Sequence, residues 1–413
     1  MKLKAVIVSL ATTLGSLSAA GDEPQPLGRD DFAALVIQIG PATRVLEART
    51  ASARATRDAA GRSENPAFAW ERSAAVSGRR ADESQDDLLL RAPLVVSGRL
   101  AGEQAAAAAG FKAVEQSALW ARARLIWKAR RAFDAVLAAR GKALILDRTA
   151  TRAGELLRIV IAREKAGESA GYERLRMELE GALVADLRSA IDIERAQAES
   201  AAAALLGRDV SGLPPFAGDL LADAARPIPE TTAVEQRADL QALALEIEAA
   251  EGAARAARRR AIPDPAVTAG VQVLDLAQNG RGIGYIIGLE VPLPLLDSGS
   301  READAAMARA RATEAERMSE LSAAAREQLS ARVTLLARRE RLSTHRTEVL
   351  ARAEGLREIA AAAWRAGGAE FWTLLDAERV AREARLMVLE LALDASHAEA
   401  DLRFLSGDMG AEK

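Results

Sequence analysis

Cysteine is absent from the 413-residue chain. That excludes a disulfide framework, a zinc ribbon, a nucleophilic thiol and a cysteine-borne lipid anchor. Aromatic residues make up only 3% although hydrophobic residues reach 49%, because alanine alone supplies nearly half of the apolar count. The two histidines, His345 and His397, stand alone, with no cysteine and no clustered carboxylates at ligand spacing, and the six methionines are scattered. Neither a metal centre nor a thioether ladder is expected from them. The formal charge of −3 gives no basic footprint for nucleic acid. No phosphate loop and no Ser–His–Asp arrangement is present, so no enzymatic activity and no cofactor are expected. Past the first residues no run of 18 apolar residues occurs, and a membrane could be entered only by strands.

What is present is organised around the stretch from Pro263 to Gly367. Val267, Ala269, Val271 and Val273 alternate with Thr268, Gly270 and Gln272, the period of a strand. A turn over Gln278-Asn279-Gly280-Arg281-Gly282 leads to a second alternation, with Tyr285, Ile287, Leu289 and Val291 outward and Ile286, Gly288 and Glu290 behind. Pro292 and Pro294 end it, since proline cannot donate to a ladder. Gly280 to Gly284 joins two strands rather than opening a helix, so its glycines read as a turn. Strands of about 9–11 residues cross a bilayer when tilted. After Asp297-Ser298-Gly299 neither proline nor glycine intervenes until Gly355, and Leu335, Leu342, Val349 and Leu356 recur seven apart, a coiled-coil seam.

Taken in order, residues 1–20 read as an export signal: Lys2 and Lys4, the apolar run Ala5 to Leu17, then Ser18-Ala19-Ala20. Gly21 to Gly28 reads as a flexible arm, and a helix capped by Asp30 or Asp31 is expected through Val36, Ile39, Val45 and Leu46 to about Ala60. A first hairpin is expected over about 65–97, with Phe68 and Trp70 on its first strand, a polar loop from Gly78 to Asp87, and a second strand from Leu88 to Val96 interrupted by Pro93. A rod follows from Ser97-Gly98 to about Ala166, with Leu119, Ile126 and Phe133 seven apart. Ala166-Gly167-Glu168-Ser169 breaks it, and a return helix carries Leu175, Leu179, Leu183, Leu187 and Ile191 every fourth position to Leu206-Gly207. A proline-rich linker with Pro214, Pro215, Pro227 and Pro229 occupies 208–229. Another helix runs to Arg260, then the hairpin at about 264–293, the second rod, a break at Ala366-Gly367-Gly368, a last helix to Leu405-Ser406-Gly407, and a tail over 408–413.

The halves 21–207 and 230–407 repeat. Pro66 and Pro265 stand 199 residues apart, as do Pro93 and Pro292; Gly167 and Gly367 stand 200 apart, as do Gly207 and Gly407. Two copies of one large unit are expected, each reading helix, hairpin, rod, glycine break and return helix. Four strands cannot close a barrel, and open sheet edges are not tolerated in lipid, so membrane hairpins require several chains. Phe68, Trp70 and Tyr285 fit either interface anchors or core aromatics. Arg255, Arg258, Arg259 and Arg260 fit complements to a helix dipole or, secondarily, contacts to anionic headgroups.

Two segments carry a resemblance. Val291-Pro292-Leu293-Pro294-Leu295-Leu296-Asp297-Ser298-Gly299 resembles a strand-to-rod junction, and Ala366-Gly367-Gly368-Ala369-Glu370-Phe371-Trp372-Thr373-Leu374-Leu375-Asp376-Ala377 resembles a periplasmic tip, of the outer-membrane efflux channel (TolC-like) family. The proline pair, with Arg91-Ala92-Pro93-Leu94, is closest to its heavy-metal efflux (CzcC-like) branch. The resemblance implies a mainly α fold with a small β part: a homotrimer with a helical α-barrel in the periplasm and a shared twelve-stranded barrel in outer-membrane lipid. It implies a passive duct for small solutes or metal cations, working with a periplasmic adaptor and an inner-membrane pump, most simply of the RND type. On the same resemblance Asp376 takes the second position of an entrance aspartate ring, with Thr373 at the first, and Glu173 and Trp364 take latch positions, Ala369 replacing the arginine partner. Gly167, Glu168, Ser169, Gly367 and Gly368 form the adaptor-docking tips, and Pro93, Gly98, Pro292, Pro294 and Gly299 the junctions. A protein-secretion duct shares these features. A soluble periplasmic adaptor or scaffold is the alternative of a different class.

Overall fold

The computed structural model describes residues 26–77, 80–168, 171–229, 233–276 and 280–407. The expected leader, Ser169, the turn residues Gln278 and Asn279, and the tail 408–413 lie outside them. Among the described residues the fold is mainly helical, with one small sheet at one end.

The sheet has four antiparallel strands in chain order: β1 (Ala67–Ser77), β2 (Arg80–Pro93), β3 (Ala266–Leu276) and β4 (Gly280–Glu290). The expected polar loop over 78–87 is corrected here: β2 begins at Arg80, and Asp86 and Asp87 sit in the ladder opposite Arg72 and Glu71. Ladder bonds come from the backbone, so a polar stretch can be strand wherever its side chains face water or one another. Pro93 ends β2 rather than interrupting it, and Gly280 to Gly282 belong to β4 rather than to a turn.

Register sorts the sheet into two faces. On one, Phe68, Leu90, Ala269 and Ile287 stand in a row across all four strands, and Trp70, Leu88, Val271 and Tyr285 form the next. The opposite face carries rows such as Glu71, Asp87, Gln272 and Gly284. The apolar face is turned outward, with Tyr285 85% and Ile287 87% exposed. Among the described residues the outer edges of β1 and β4 have no partner strand.

The first expected helix is two: α1 (Arg29–Ile39) and α2 (Pro41–Ala59). Gly40 is extended (φ −60°, ψ 141°), and Pro41 sits at the first helical position, where its missing N–H is not needed. The expected cap is also corrected: Gly28 is the N-cap, and Asp31 Oδ2 accepts from the Gly28 N–H at 3.2 Å. Asp30 pairs instead with Arg130 (3.0 Å) and Arg226 (2.8 Å).

The long helices are α3 (Arg99–Lys165), α4 (Gly171–Leu206), α6 (Ala238–Arg258), α7 (Ser300–Thr344), α8 (Ala351–Arg365) and α9 (Phe371–Leu405), with a one-turn α5 (Leu220–Ala224) in the linker. At 1.5 Å per residue the 67 residues of α3 span roughly 100 Å. Nearly half of its buried positions are alanine (Ala109, Ala113, Ala123, Ala129, Ala138, Ala139, Ala143), which lets neighbouring axes approach closely.

The second rod departs from expectation. Leu335 and Leu342 are buried, but Val349 and Leu356 are exposed, and Ala353, Ala360 and Trp364 take the inside instead. A π turn, His345–Leu350, separates α7 from α8. The inward step therefore lengthens from seven residues to eleven between Leu342 and Ala353, a four-residue stutter that rotates the seam. In the first rod Phe133 is fully buried while Leu119 is exposed. On α4, Met177, Glu180 and Val184 face inward, and Leu175, Leu179, Leu183 and Leu187 face out.

Near the middle of the helices, α1 and the linker fold onto α3 and α9. Phe216 lies 4.7 Å from both Phe32 and Phe133, ring centre to ring centre. Beside it Arg29 donates to Asp134 Oδ2 (2.8 Å), Glu399 Oε2 (2.8 Å) and the Ser396 carbonyl (3.2 Å), all out of solvent. Burial pushes the Asp134 carboxyl up to about 7 against the pull of Arg29. Burial also works against the Glu399 anion, yet Arg29 and Arg403 hold its carboxyl below the usual range. Removing Arg29 would strand Asp134 without a counter-charge and leave Glu399 with Arg403 alone, a loss of about 3–5 kcal/mol.

Both strand-to-rod junctions turn on a left-handed glycine, Gly98 (φ 68°) and Gly299 (φ 75°). A Cβ at Gly299 would stand 2.1 Å from the Ala257 carbonyl oxygen, so no other residue fits. Asp264 accepts from the Val96 and Ser97 N–H groups, each at 2.8 Å, and Asp297 accepts from the Gly299 N–H at 2.9 Å. Of the four arginines ahead of β3, Arg255 pairs with Glu251 (3.6 Å), Arg259 donates to the Ser97 carbonyl (3.1 Å) and Arg260 pairs with Glu302. These contacts account for three of them within the chain.

Candidate functional site

The end of the molecule away from the sheet is built by two helix breaks of one design. Gly167 (φ 76°) and Gly367 (φ 74°) are left-handed. The Gly167 N–H donates to the Glu164 carbonyl (3.0 Å) and that of Glu168 to Arg163 (2.9 Å). At the other break Gly367 donates to Trp364 (3.0 Å) and Gly368 to Ala363 (2.9 Å). Both are Schellman endings, in which glycine satisfies the last carbonyls of a rod and reverses the chain. Gly167, Glu168, Gly367 and Gly368 are exposed.

One apolar cluster fastens the tips together: Val160 of α3, Met177 of α4, Trp364 of α8, and Phe371, Leu374 and Leu375 of α9. Trp364 is therefore interior, its ring 6.2 Å from Phe371 and covered by Arg163 at 5.8 Å. Trp364 Nε1 and Glu173 Oε2 are shielded from water and have no hydrogen-bond partner among the described residues. Burying such groups unpaired carries a cost. Thr373 and Asp376 lie on the other face of α9, exposed, with Val380 and Glu383 continuing the line. Trp372, also exposed, sits 5.6 Å from Tyr172 of α4, and Arg176 covers Trp372 at 5.5 Å. Asp376, Thr373 and the glycine turns thus share one end, whereas Glu173 and Trp364 belong to the packing behind it.

Above the tips, charged pairs tie the helices. Glu180 of α4 accepts from Arg382 of α9 at 2.7 Å, both buried. Glu354 of α8 accepts from Arg385 (2.7 Å) and Arg357 (3.0 Å), hydrogen bonds that hold its carboxyl below the usual range, with Arg385 the larger influence. Glu378 meets Arg152 of α3 at 3.1 Å. Sequence reasoning missed the links between helices because those partners are far apart along the chain; Glu354 and Arg357 alone are neighbours on α8. The Tyr172–Trp372 contact had a readable signal: its members stand 200 residues apart, the offset of the glycine breaks.

An open cleft of about 610 Å³ between α3, α7 and α9 is lined by Trp127, Arg131, Thr334, Asp401 and Phe404. Asp401 accepts from both Trp127 Nε1 and Arg131 at 2.7 Å, so these three polar groups are engaged with one another. No cluster of metal-ligating side chains occurs among the described residues, and none of the described helices is long and apolar enough to cross a membrane.

The outer membrane efflux protein family matches residues 231–408. No curated protein sequence matches the chain. Among solved structures, CusC, described in terms of folding and transmembrane channel formation, is similar with a TM-score of 0.77 and 18% identity, over 95% of each chain. The outer membrane protein VceC of Vibrio cholerae gives 0.73 and 18%, covering 92% of this chain and 96% of its own. The open-state MtrE outer membrane channel of Neisseria gonorrhoeae gives 0.72 and 18%, over 94% and 93%. The chain has the fold of these channels along nearly its whole described length.

Proposed function

We propose that this chain is one subunit of a trimeric outer-membrane channel, the passive exit duct of a tripartite efflux system. The observation that carries the reading is the sheet: four strands, an outward apolar face, a polar opposite face and two unpaired edges. In lipid those edges must pair, and only other copies of the sheet are shaped to do it. Two copies would give eight strands, a barrel just wide enough to be filled by its own side chains; three give twelve, which leaves a passage. The exposed leucines of α4 and the exposed apolar line on the second rod are then the lateral contacts of a helical tunnel below the barrel.

In this reading the protein sits in the outer membrane with its helices in the periplasm. The glycine tips meet a periplasmic adaptor fed by an inner-membrane pump, of the RND type by resemblance. The two halves are copies of one unit, a view supported by the matching left-handed glycines at 98 and 299, 167 and 367, and 207 and 407. Asp376 lines the tunnel mouth at the second ring position, with Thr373 where the first acidic ring would stand. The junction motif favours the heavy-metal branch, although no described residue offers the cargo a ligand set.

The test is electrical. Detergent-purified protein added to a planar bilayer should produce steady, voltage-tolerant steps of conductance from a species three chains in size. A water-soluble monomer with no conductance would end the reading and leave the adaptor or scaffold alternative.

A further inference from the structure

The outward face of the sheet is too short for the membrane it is read to cross. Its upper limit is fixed by charge. Arg72 and Asp86 face each other on the row that ends at Ile283, 3.7 Å apart, and the row beyond holds Ser84, Asp275 and Arg281. Downward, the apolar positions of β4 run from Ile283 to Leu289, about 20 Å along the strand and about 16 Å along the membrane normal at a tilt of 40°. A barrel's apolar band is about 25 Å tall. On β2 the deficit is larger, since only Leu88, Leu90 and Ala92 lie below Asp86 before the strand ends at Pro93.

The missing height lies in the two linkers below the ladder. Beyond β2 the outward parity continues in Leu94 and Val96, both exposed, and Leu94 still donates its N–H to the Pro265 carbonyl at 2.7 Å. Beyond β4 it continues in Val291 and Leu293, the latter 70% exposed. There the Leu295 N–H closes on the Leu293 carbonyl at 2.8 Å, a tight turn that leaves Leu295 82% exposed and Leu296 fully so. Extending the apolar line of β4 to Leu293 brings it to about 26 Å along the normal, the thickness the sheet alone lacks.

We propose that the two strand-to-rod linkers, Leu94 to Val96 and Val291 to Leu296, form an apolar collar that seats in the lipid of the periplasmic-side leaflet. The collar rests on the channel reading and adds to it where the bilayer ends. The water boundary lies at Asp264, Asp297 and the arginine end of α6, not at the last ladder pair, Ala266 with Glu290. Glycine at Gly98 and Gly299 then marks the step from lipid to water, and Pro292 and Pro294 limit how many N–H groups the unpaired segment exposes to lipid.

The chain's lack of cysteine makes the test direct. Single variants Leu295→Cys, Leu293→Cys, Ile287→Cys and Glu370→Cys carry a nitroxide label in full-length protein reconstituted into phosphatidylethanolamine–phosphatidylglycerol vesicles. Accessibility to oxygen is compared with accessibility to a water-soluble nickel chelate. The collar predicts an oxygen-to-nickel ratio at positions 295 and 293 close to that at Ile287→Cys and several-fold above that at Glu370→Cys. A nickel-accessible label at 295 and 293, with Ile287→Cys still reading lipid, would overturn the collar and leave the channel standing. A label there shielded from both probes would overturn it too, by showing a neighbouring copy as its cover. Nickel access at Ile287→Cys itself would remove the membrane sheet altogether.

Discussion

The chain builds two rods of nearly equal length and places them in different surroundings. The first is α3, 67 residues without a break. The second is α7, the π turn and α8, of 45, 6 and 15 residues end to end. α3 packs against α1, α2, α4, α6 and α9, and Phe133 with alanines such as Ala129, Ala138 and Ala139 is inside. The second rod packs on α6 and α9 and leaves Leu329, Val333, Leu336, Val349, Leu356 and Ile359 in the open. Similar patterning therefore ends in opposite burial. A seam read from sequence says that a helix has a partner, but not whether that partner is in the same chain. Here the buried face of α3 is covered within the chain, with Leu119, Leu144 and Ile159 left out, whereas the longer apolar row of the second rod has no cover from the described residues.

This contrast can be broken from either side. On the inner side, Arg29→Ala leaves Asp134 of α3 buried without its counter-charge and Glu399 of α9 with Arg403 alone, and should cost about 3–5 kcal/mol of stability. Thermal melting by circular dichroism should show a large fall in midpoint; an unchanged midpoint would mean that the cluster does not hold α1 to the rods. On the edge side, Leu329→Ser with Val333→Ser should leave helix content intact and abolish the oligomer, read by light scattering in detergent. An intact oligomer would mean that those residues face water or lumen. The two variants together separate folding of the subunit from its assembly.

The cluster on α3 also makes a pH prediction. The Asp134 carboxyl titrates near 7 in the folded chain against 3.8 as its ordinary value, so the folded state holds an extra proton between those limits. Its contribution to stability is complete at the acid end of that window and is lost as pH rises towards about 7. Glu399, with its carboxyl lowered, acts oppositely and only at lower pH. Asp134→Asn should flatten the stability slope between about pH 5 and 7; an unchanged slope would assign that titration elsewhere. The smallest effect is expected at Asp376→Ala, which should lower cation over anion selectivity in single-channel recordings without changing stability. Unaltered selectivity would remove Asp376 from the conduction path.

Much of the fold was legible because its signals are local. Alternation marked β3 and β4, glycines at 167 and 367 marked the tips, and the absence of breakers marked the rods. What escaped depended on partners. Asp86 and Asp87 read as loop because their acidity was visible and the facing strand was not. The π turn at His345–Leu350 has no breaker residue; it exists because Ala353, Ala360 and Trp364 pack inward where Val349 and Leu356 would have stood. The pairs Arg29 with Glu399, 370 residues apart, and Glu180 with Arg382, 202 apart, join elements that only the folded chain brings together. At the tip, Asp376 and the glycine turns could be named from a motif, but the interior place of Trp364 could not, since no local pattern separates a buried tryptophan from an exposed one.

The central claim is that the sheet closes only through other copies, β4 of one subunit beside β1 of the next. Within a chain those strands are three strand spacings apart, about 14 Å, beyond the reach of a disulfide. In the cysteine-free background, Trp70→Cys combined in turn with Ile283→Cys, Tyr285→Cys or Ile287→Cys should give, on mild oxidation in membranes, a ladder of covalent species ending at three chains. Oxidation that yields only single chains at all three pairings, or a ladder that continues past three, would contradict the closed trimer.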